Sequence, residues 1–165
     1  MNTVINWVID TLNATAVSGF VMDNAYVFPF LEMMHFVGLC LLFGALIVVD
    51  LRVVGFAKAV PINRVEVFVR FALIGFAINL LSGALFVVGN SDRYLVNIAF
   101  WAKMGVIFVA GLNTAYFVRR IKPQMDSGIP SEELTKGAHV VAWLSLALWT
   151  SVIFLGRFIP YVEDL

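Results

Sequence analysis

The sequence predicts an all-α integral membrane protein: a four-helix bundle preceded by an amphipathic helix at the membrane interface. The first observation is composition, since 61% of the 165 residues are hydrophobic and 13% are charged, with a mean hydropathy of +0.93. Soluble domains are about 45–50% apolar and about 25% charged. The second is that four stretches each reach the length of about 20 mostly apolar residues that crosses a bilayer. We therefore expect a single membrane domain over residues 1–165.

The N-terminal segment, about residues 3–17, is predicted to form the interfacial helix. Its polar residues Asn6, Asp10 and Asn13 lie opposite apolar residues that recur at helical spacing. The apolar residues are Val4, Ile5, Val8, Ile9 and Leu12. A cleavable signal peptide needs a basic first region, and no Lys or Arg precedes Arg52. We therefore expect the mature protein to keep this segment.

The membrane helices are predicted to cover about residues 27–50, 70–89, 95–118 and 137–159. The first has Pro29 in its opening turn, where the missing N–H costs nothing, and is closed by Asp50 and Arg52. The second ends at a turn with the sequence Asn-Ser-Asp, and the third stops at the arginine pair that begins with Arg119. The helix of the fourth span is expected to begin in water, at Ser131.

Lysine and arginine are distributed unevenly between the two sides of the predicted membrane. The segments after the first and third spans carry Arg52, Lys58, Arg64, Arg70, Arg119, Arg120, Lys122 and Lys136. The other segments outside the membrane carry only Arg93, with Arg157 at the end of the last span. Because basic loops stay on the cytoplasmic side, we expect both long loops there and both chain ends on the opposite side. The loops are too short for a soluble domain, so any chemistry is expected in or at the membrane.

Composition also disfavours two kinds of partner. Nucleic-acid-binding proteins carry a basic surplus, whereas 11 basic and 11 acidic residues here give a net charge of zero. The single cysteine, Cys40, excludes an intramolecular disulfide and a cysteine-based zinc site. The expected partner is the lipid bilayer. So small a bundle can also form a homo-oligomer or serve as a subunit of a membrane complex.

Polar side chains on four predicted helices fall at similar depths, in the half of the bundle nearer the chain ends. Ionisable groups at membrane depth are costly and therefore point to function. With a rise of about 1.5 Å per residue, His35 and Ser82 lie roughly 10 Å deep and Lys103 roughly 12 Å. Arg157 lies close to the end of its span, and Glu32 lies one turn from His35 on the same face. In a four-helix bundle these side chains can converge on one pocket.

Two interpretations of this polar cluster differ in what its charges do. In one, Glu32 pairs with Arg157 or Lys103, and the groups neutralise each other without a ligand. In the other, His35 is a ligand or proton carrier, and Glu32 sets its tautomer and charge. Lys103 favours the second interpretation, because it lies deep and needs a specific anion.

Haem b is the first candidate ligand, because the chain has two histidines, one each in the first and last spans. Depth argues against both binding one iron: His139 enters from the cytoplasmic side, whereas His35 is 15 residues from Asp50, roughly 22 Å. A haem on His35 then needs a non-histidine ligand, an open position or His35 of the partner subunit. Lys103 and Arg157 would hold its propionates. A reduced quinone is an alternative anionic ligand.

Copper is a further alternative ligand. The run Glu-Met-Met-His at residues 32–35 combines imidazole with soft thioether groups, which suit copper. A copper site would use His35, Glu32 and Met34. Against it, Met34 lies on a different face from part of this set, and methionine in a membrane helix usually serves as apolar filling.

Motifs along most of the chain resemble a group of uncharacterised bacterial inner-membrane proteins with four helices. The motifs are residues 31–38 (LEMMHFVG), 49–52 (VDLR), 97–103 (NIAFWAK) and 156–161 (GRFIPY). The resemblance implies the bacterial inner membrane, with both chain ends periplasmic, and a site formed by Glu32, His35, Lys103, Arg157 and Tyr161. It implies no activity. In layout alone the chain is also distantly similar to copper-resistance-D and cytochrome b561-type membrane proteins.

The leading hypothesis is a membrane redox protein with a polar pocket in the periplasmic half of the bundle. The pocket would bind haem b or a quinone for electron transfer, through Glu32, His35, Ser82, Lys103, Arg157 and Tyr161. One alternative is a protein that moves or stores copper. Another is a non-catalytic scaffold subunit of a membrane complex, in which the polar cluster only fixes the register of the helices.

Overall fold

A computed structural model describes residues 3–61 and 64–162, and every regular element in those ranges is helical. In chain order the helices are α1 (Thr3–Asn13), α2 (Ala16–Asp23), α3 (Val27–Val54), α4 (Val65–Gly89), α5 (Ser91–Leu95), α6 (Ile98–Tyr116), α7 (Lys122–Asp126) and α8 (Lys136–Phe158). A π-helical turn, Phe117–Ile121, joins α6 to α7. Four segments are long and apolar enough to cross a membrane: α3, α4, α6 with its continuation through α7, and α8. The predicted all-α fold with four membrane helices is confirmed.

Three membrane helices are longer than predicted at the end where their connecting loop is basic. The third does not stop at the arginine pair, because it continues through the π-helical turn and α7 to Asp126. α3 continues past residue 50 to Val54 and is capped by Gly55, whose φ of 93° lies in the left-handed region that suits glycine. α4 begins at Val65 rather than near residue 70. The apolar run alone underestimates the length of these helices, because the turns at this end carry charged residues that lie at or beyond the membrane surface.

The start of α6 is set by side-chain hydrogen bonds, whereas α8 begins without a side-chain cap. α6 begins at Ile98 rather than near residue 95, because the side-chain oxygen of Asn97 accepts hydrogen bonds from the backbone N–H groups of Ala99 and Phe100, at 2.9 and 3.2 Å. α8 begins at Lys136, and the expected start at Ser131 is wrong. Ser131 instead opens a short 3₁₀ turn.

Arg52 ties the loop after α3 to the segment before α8. Its Nε donates a hydrogen bond to the carbonyl oxygen of Val60 at 2.7 Å, and its Nη1 donates to Ser131 Oγ. Ser131 Oγ in turn donates to the carbonyl oxygen of Arg52 at 3.0 Å. These bonds hold Ser131 in a buried turn. Asp50 faces elsewhere, with its carboxyl group beside the Ser145 hydroxyl of α8.

The four long helices alternate in direction and pack side by side in the order α4, α3, α8, α6. α3 therefore contacts both α4 and α8, whereas α4 and α6 do not pack closely against each other. We name the ends of the bundle after two residues. At the Gly89 end, α3 and α6 begin and α4 and α8 end; the Arg52 end is the opposite one.

α3 and α4 cross at close range through two glycines. A β-carbon on Gly75 would lie 2.5 Å from the backbone nitrogen of Leu42 and 2.7 Å from the carbonyl oxygen of Gly38. A β-carbon on Gly38 would lie 2.7 Å from Nδ2 of Asn79. Small residues at such crossings let helix backbones approach closely in membranes. Since the helices are antiparallel, this crossing sets the register that brings the start of α3 to the end of α4.

The N-terminal segment is a bent pair of helices, not the single interfacial helix predicted over about residues 3–17. α1 and α2 are bent by 69° relative to each other. Thr15 lies at the break, where its hydroxyl oxygen accepts from the N–H of Ser18 at 3.2 Å and caps α2. Both helices contact the Gly89 end: Ser91 Oγ donates to Asn13 Oδ1 at 2.6 Å, and Ser18 Oγ donates to the carbonyl oxygen of Gly89 at 3.4 Å.

The outer surface of the long helices is apolar. Phe36, Leu81, Phe108 and Phe154, one from each membrane helix, are 65%, 68%, 68% and 62% exposed. In water such a surface would be an aggregation hazard, whereas the acyl chains of a bilayer solvate it. The protein is therefore a multi-pass membrane protein whose outer surface contacts lipid.

Candidate functional site

The site begins at the contact between His35 and Ser82. His35 lies one turn before Gly38 on α3, and Ser82 lies two turns after Gly75 on α4, so the glycine crossing brings them together. His35 Nδ1 lies 2.8 Å from Ser82 Oγ. Ser82 is buried and the His35 ring is half-buried. The two residues that the sequence placed at equal depth on different helices are therefore neighbours.

The hydroxyl proton of Ser82 determines the tautomer of His35. Ser82 Oγ lies 2.7 Å from the carbonyl oxygen of Ile78 and donates to it, as serine does within a helix. A hydroxyl group has one proton, so toward His35 it acts as the acceptor and Nδ1 carries the hydrogen. In a neutral ring this leaves the lone pair on Nε2 available. The pair Ser82–His35 thus has the form in which histidines bind metals or accept protons.

An aromatic cluster lies beside His35 toward the Gly89 end. The Phe86 ring is 5.4 Å from both the His35 ring and the Phe28 ring, and Tyr94 stacks on Phe86 at 6.3 Å with an interplanar angle of 16°. Tyr94 also meets Phe100 at 5.8 Å. The sequence analysis did not assign these residues to the site. The available signal was the spacing of Ser82 and Phe86, four residues apart and hence on one face of α4.

Lys103 is half-buried on α6 and extends across α8. A β-carbon on Gly156 would lie 3.3 Å from Lys103 Nζ, so the absence of a side chain at Gly156 leaves room for the lysine. Lys103 is near enough to His35 to interact with it electrostatically. In residues 3–61 and 64–162 it forms no hydrogen bond or ion pair. Its three N–H donors therefore remain available to an anionic or oxygen-bearing ligand.

The sequence predicted that Glu32 sets the tautomer of His35. In the structure Ser82, not Glu32, contacts the His35 ring. Glu32 is exposed, and within the described residues it forms no hydrogen bond or ion pair. Residues three apart on a helix differ in direction by about 60°, so Glu32 faces the outer surface of α3 while His35 faces α4. Within the described residues, Glu32 therefore forms neither of the neutralising pairs expected with Arg157 or Lys103. Met34, the third predicted copper ligand, is half-buried.

Arg157 and Tyr161 pair with each other at the Gly89 end. Arg157 Nη2 donates to the Tyr161 hydroxyl at 2.9 Å, and the guanidinium carbon lies 5.2 Å from the centre of the tyrosine ring. Both side chains are exposed, and in the part of the chain that the structure describes they make no hydrogen bond to His35 or Lys103. The structure therefore brings His35, Ser82 and Lys103 together and leaves Arg157 and Tyr161 as a separate pair near the membrane surface.

Comparison with known families identifies the chain. A family model matches residues 12–162, nearly its whole length. The chain belongs to DUF6644, a family of unknown function. No curated protein and no solved structure matches it. The expected membership of an uncharacterised family is confirmed, whereas nothing found supports the likeness to copper-resistance-D or cytochrome b561-type proteins.

The two histidines of this DUF6644 protein lie at opposite ends of the bundle. Among residues 3–61 and 64–162, no three His, Cys, Asp or Glu side chains are grouped to hold a metal ion. His139 is half-buried near the start of α8, at the Arg52 end, as its position in the sequence predicted. His35 is therefore the one imidazole in the Gly89 half of the DUF6644 bundle, with Lys103 as the cation beside it.

Proposed function

We propose that this DUF6644 protein is a membrane redox protein that binds haem b or a quinone at Nε2 of His35. The observation that carries the proposal is the chain of hydrogen bonds from His35 Nδ1 to Ser82 Oγ and on to the carbonyl oxygen of Ile78. This chain orients the ring and leaves Nε2 with its lone pair, the arrangement of histidines that bind a metal centre or accept a proton.

The residues around His35 suit either ligand. His35 would hold a haem iron through Nε2, Lys103 would pair with a propionate, and the rings of Phe86 and Tyr94 would provide apolar surface for the macrocycle. A quinol hydroxyl would instead donate to Nε2, with Lys103 donating to a ring oxygen. The bound cofactor would supply the one-electron or hydrogen-transfer chemistry, while the chain binds it, orients it and excludes water.

We also propose that the Gly89 end faces the periplasm of a bacterial inner membrane. The Arg52 end carries eight of the eleven Lys and Arg residues, and basic segments stay on the cytoplasmic side. Both chain ends would then be periplasmic, and His35 and Lys103 would lie in the periplasmic half of the bundle. The electron partner would approach from that side or through the lipid.

The proposal is tested by the visible spectrum and the lipid extract of protein purified in detergent, with His35→Ala as the variant. We expect either a Soret band that sharpens on reduction with dithionite or a co-purifying quinone, present in the wild type and lost in His35→Ala. His139→Ala is the matched control and is expected to keep the cofactor, since His139 lies at the other end. Three outcomes contradict the proposal: a colourless, quinone-free wild type, copper lost in His35→Ala, or equal retention in both variants.

Ser82→Ala is expected to weaken cofactor binding by about 10–100-fold, the usual cost of removing the group that orients a ligating histidine. The ring loses its partner at Nδ1 and can rotate or change tautomer. The measurement is cofactor occupancy at increasing detergent dilution. Ser82→Thr, which keeps the hydroxyl group, is expected to retain most of the binding. Equal occupancy in Ser82→Ala and the wild type would show that Ser82 has no orienting role.

A further inference from the structure

A cavity of about 170 Å³ lies in the Arg52 half of the bundle, away from His35. It exists because α4 and α6 do not pack against each other, while α3 and α8 close its inner side. Its apolar lining comes from all four membrane helices and includes Leu42, Ala72, Phe76, Phe117 and Val141. Asp50 on α3 and Trp149 on α8 also line it. Along α3, Asp50 is 15 residues from His35, about 22 Å, so the two sites are separate.

Two polar atoms of residues that line this cavity have no hydrogen-bond partner in the part of the chain that the structure describes. They are Oδ2 of Asp50, a residue that is 3% exposed, and Nε1 of Trp149, a residue that is 6% exposed. Buried polar atoms are nearly always hydrogen-bonded, and leaving them unpaired is costly. One of these atoms can accept a hydrogen bond and the other can only donate one. Together they require a ligand that both donates and accepts.

The two residues are held at the cavity by their neighbours on α8. The Ser145 hydroxyl lies beside the Asp50 carboxyl group, and Trp149 is four residues further along, on the same face of α8. The Phe76 ring meets the Trp149 ring edge-on at 6.2 Å and keeps the indole at the cavity wall. Ser145 and Trp149 therefore lie about one turn apart on the face of α8 that lines the cavity, with the Asp50 carboxyl group beside Ser145.

A break in α6 borders the cavity. Phe117 and Val118, the first residues of the π-helical turn, are part of its lining. π-helical turns within α-helices are rare and occur frequently at functional sites. The cavity is thus associated with a backbone irregularity as well as with unpaired polar atoms.

The cavity is accessible from the bilayer and has the size of a single ring. Leu73, Gly111 and Val118 line it and are themselves exposed on the lipid-facing surface. An apolar cavity of about 150 Å³ in another protein binds benzene, so a volume near 170 Å³ accepts one six-membered ring. A ligand that arrives through lipid and fits between α4 and α6 must be lipophilic.

We propose that this cavity binds a lipophilic aromatic compound that carries a hydroxyl group, such as a phenol or the head group of a quinol. The hydroxyl group donates to Oδ2 of Asp50, and an oxygen of the ligand accepts from Nε1–H of Trp149. The ring fills the apolar space between α4 and α6. This site is independent of the cofactor proposed at His35.

The test compares two probes, 4-fluorophenol and fluorobenzene, by ¹⁹F NMR titration of the purified protein in detergent. The readout is the ratio of their apparent affinities, each corrected for partitioning into protein-free micelles. We expect the wild type to prefer 4-fluorophenol by about tenfold or more, as a hydrogen bond to a buried and otherwise unpaired group allows. The preference should fall close to one in Asp50→Ala and several-fold in Trp149→Phe.

His35→Ala is the control and is expected to keep the preference of the wild type. 4-Fluoroanisole, which has no hydroxyl proton, is expected to bind like fluorobenzene. A wild-type preference near one would overturn the proposal, because water alone would then serve the two polar atoms. An unchanged preference in both Asp50→Ala and Trp149→Phe would also overturn it. Should Asp50→Ala fail to fold, the wild-type ratio and Trp149→Phe decide the question alone.

Discussion

Gly75→Ala is expected to lower the free energy of unfolding by an amount at the upper end of about 1–3 kcal/mol, the range for overpacked interiors. The added methyl group would lie 2.5 Å from the backbone nitrogen of Leu42 and 2.7 Å from the carbonyl oxygen of Gly38. Neither atom belongs to a side chain that can rotate away. α3 and α4 must therefore separate, and every contact along their crossing weakens.

The measurement is thermal unfolding in detergent, followed by circular dichroism. Gly44→Ala and Gly105→Ala are the matched controls, because a β-carbon at either position meets no atom within 4 Å. Both are expected to be neutral or to stabilise by up to about 1 kcal/mol through the higher helix propensity of alanine. If Gly75→Ala unfolds at the same temperature as these controls, the close crossing of α3 and α4 is wrong.

The same substitution is expected to reach the candidate site. His35 and Ser82 are held 2.8 Å apart by two different helices. Since the crossing at Gly75 sets the distance between those helices, Gly75→Ala should lower occupancy of the proposed cofactor as Ser82→Ala does. Gly44→Ala should leave occupancy unchanged. A loss of stability without a loss of cofactor would separate the crossing from the site.

Asn97→Ala is expected to cost about 2 kcal/mol of stability, the sum of a lost helix cap and a lost hydrogen bond to the buried carbonyl group of Ile159. The Asn97 side chain is buried and makes three hydrogen bonds at once. Its oxygen accepts from the N–H groups of Ala99 and Phe100, and its Nδ2 donates to the carbonyl oxygen of Ile159 at 2.9 Å. Alanine removes the cap of α6 and the link to the end of α8 together.

Two further variants separate these contributions. Asn97→Ser keeps an oxygen that can cap α6 but is too short to reach Ile159, so an intermediate loss is expected. Asn24→Ala removes an exposed asparagine that accepts one hydrogen bond, from the N–H of Tyr26 at 3.2 Å, and is expected to be nearly neutral. Chemical unfolding in a detergent series would rank the four proteins. An Asn97→Ala variant as stable as Asn24→Ala would contradict the assigned role of Asn97.

The depth of the candidate site residues along their helices could be predicted from the sequence, but the direction of their side chains could not. His35, Ser82 and Lys103 were placed at similar depths, and the structure brings these three together. Depth follows from counting residues along a helix of fixed rise. Glu32 and Tyr161 were added by spacing and by resemblance, and neither touches His35. Whether a side chain one turn away turns toward a partner depends on helix rotation, which residue counting does not give.

Asp50 illustrates the same limit from the opposite side. Its position at the end of an apolar run suggested that it closes the first span together with Arg52. Arg52 does contact the segment before α8, through Ser131. Asp50 instead points inward, beside Ser145 and the cavity. Residues that are two apart on a helix face different directions. Arg52 therefore contacts a loop, whereas Asp50 faces the buried cavity.

The sequence by itself determined that this protein has four membrane helices, roughly where each begins and ends, and the uneven distribution of basic charge. These properties are local, because length and hydropathy of a single segment decide whether it crosses a bilayer. Only the tertiary structure decided which faces meet. α3 and α4 are apolar on all sides, so they carry no stripe from which a buried face can be recognised. Packing of the four membrane helices is set by contacts between residues far apart in the chain. That packing creates the glycine crossing, the aromatic cluster beside His35 and the cavity at Asp50.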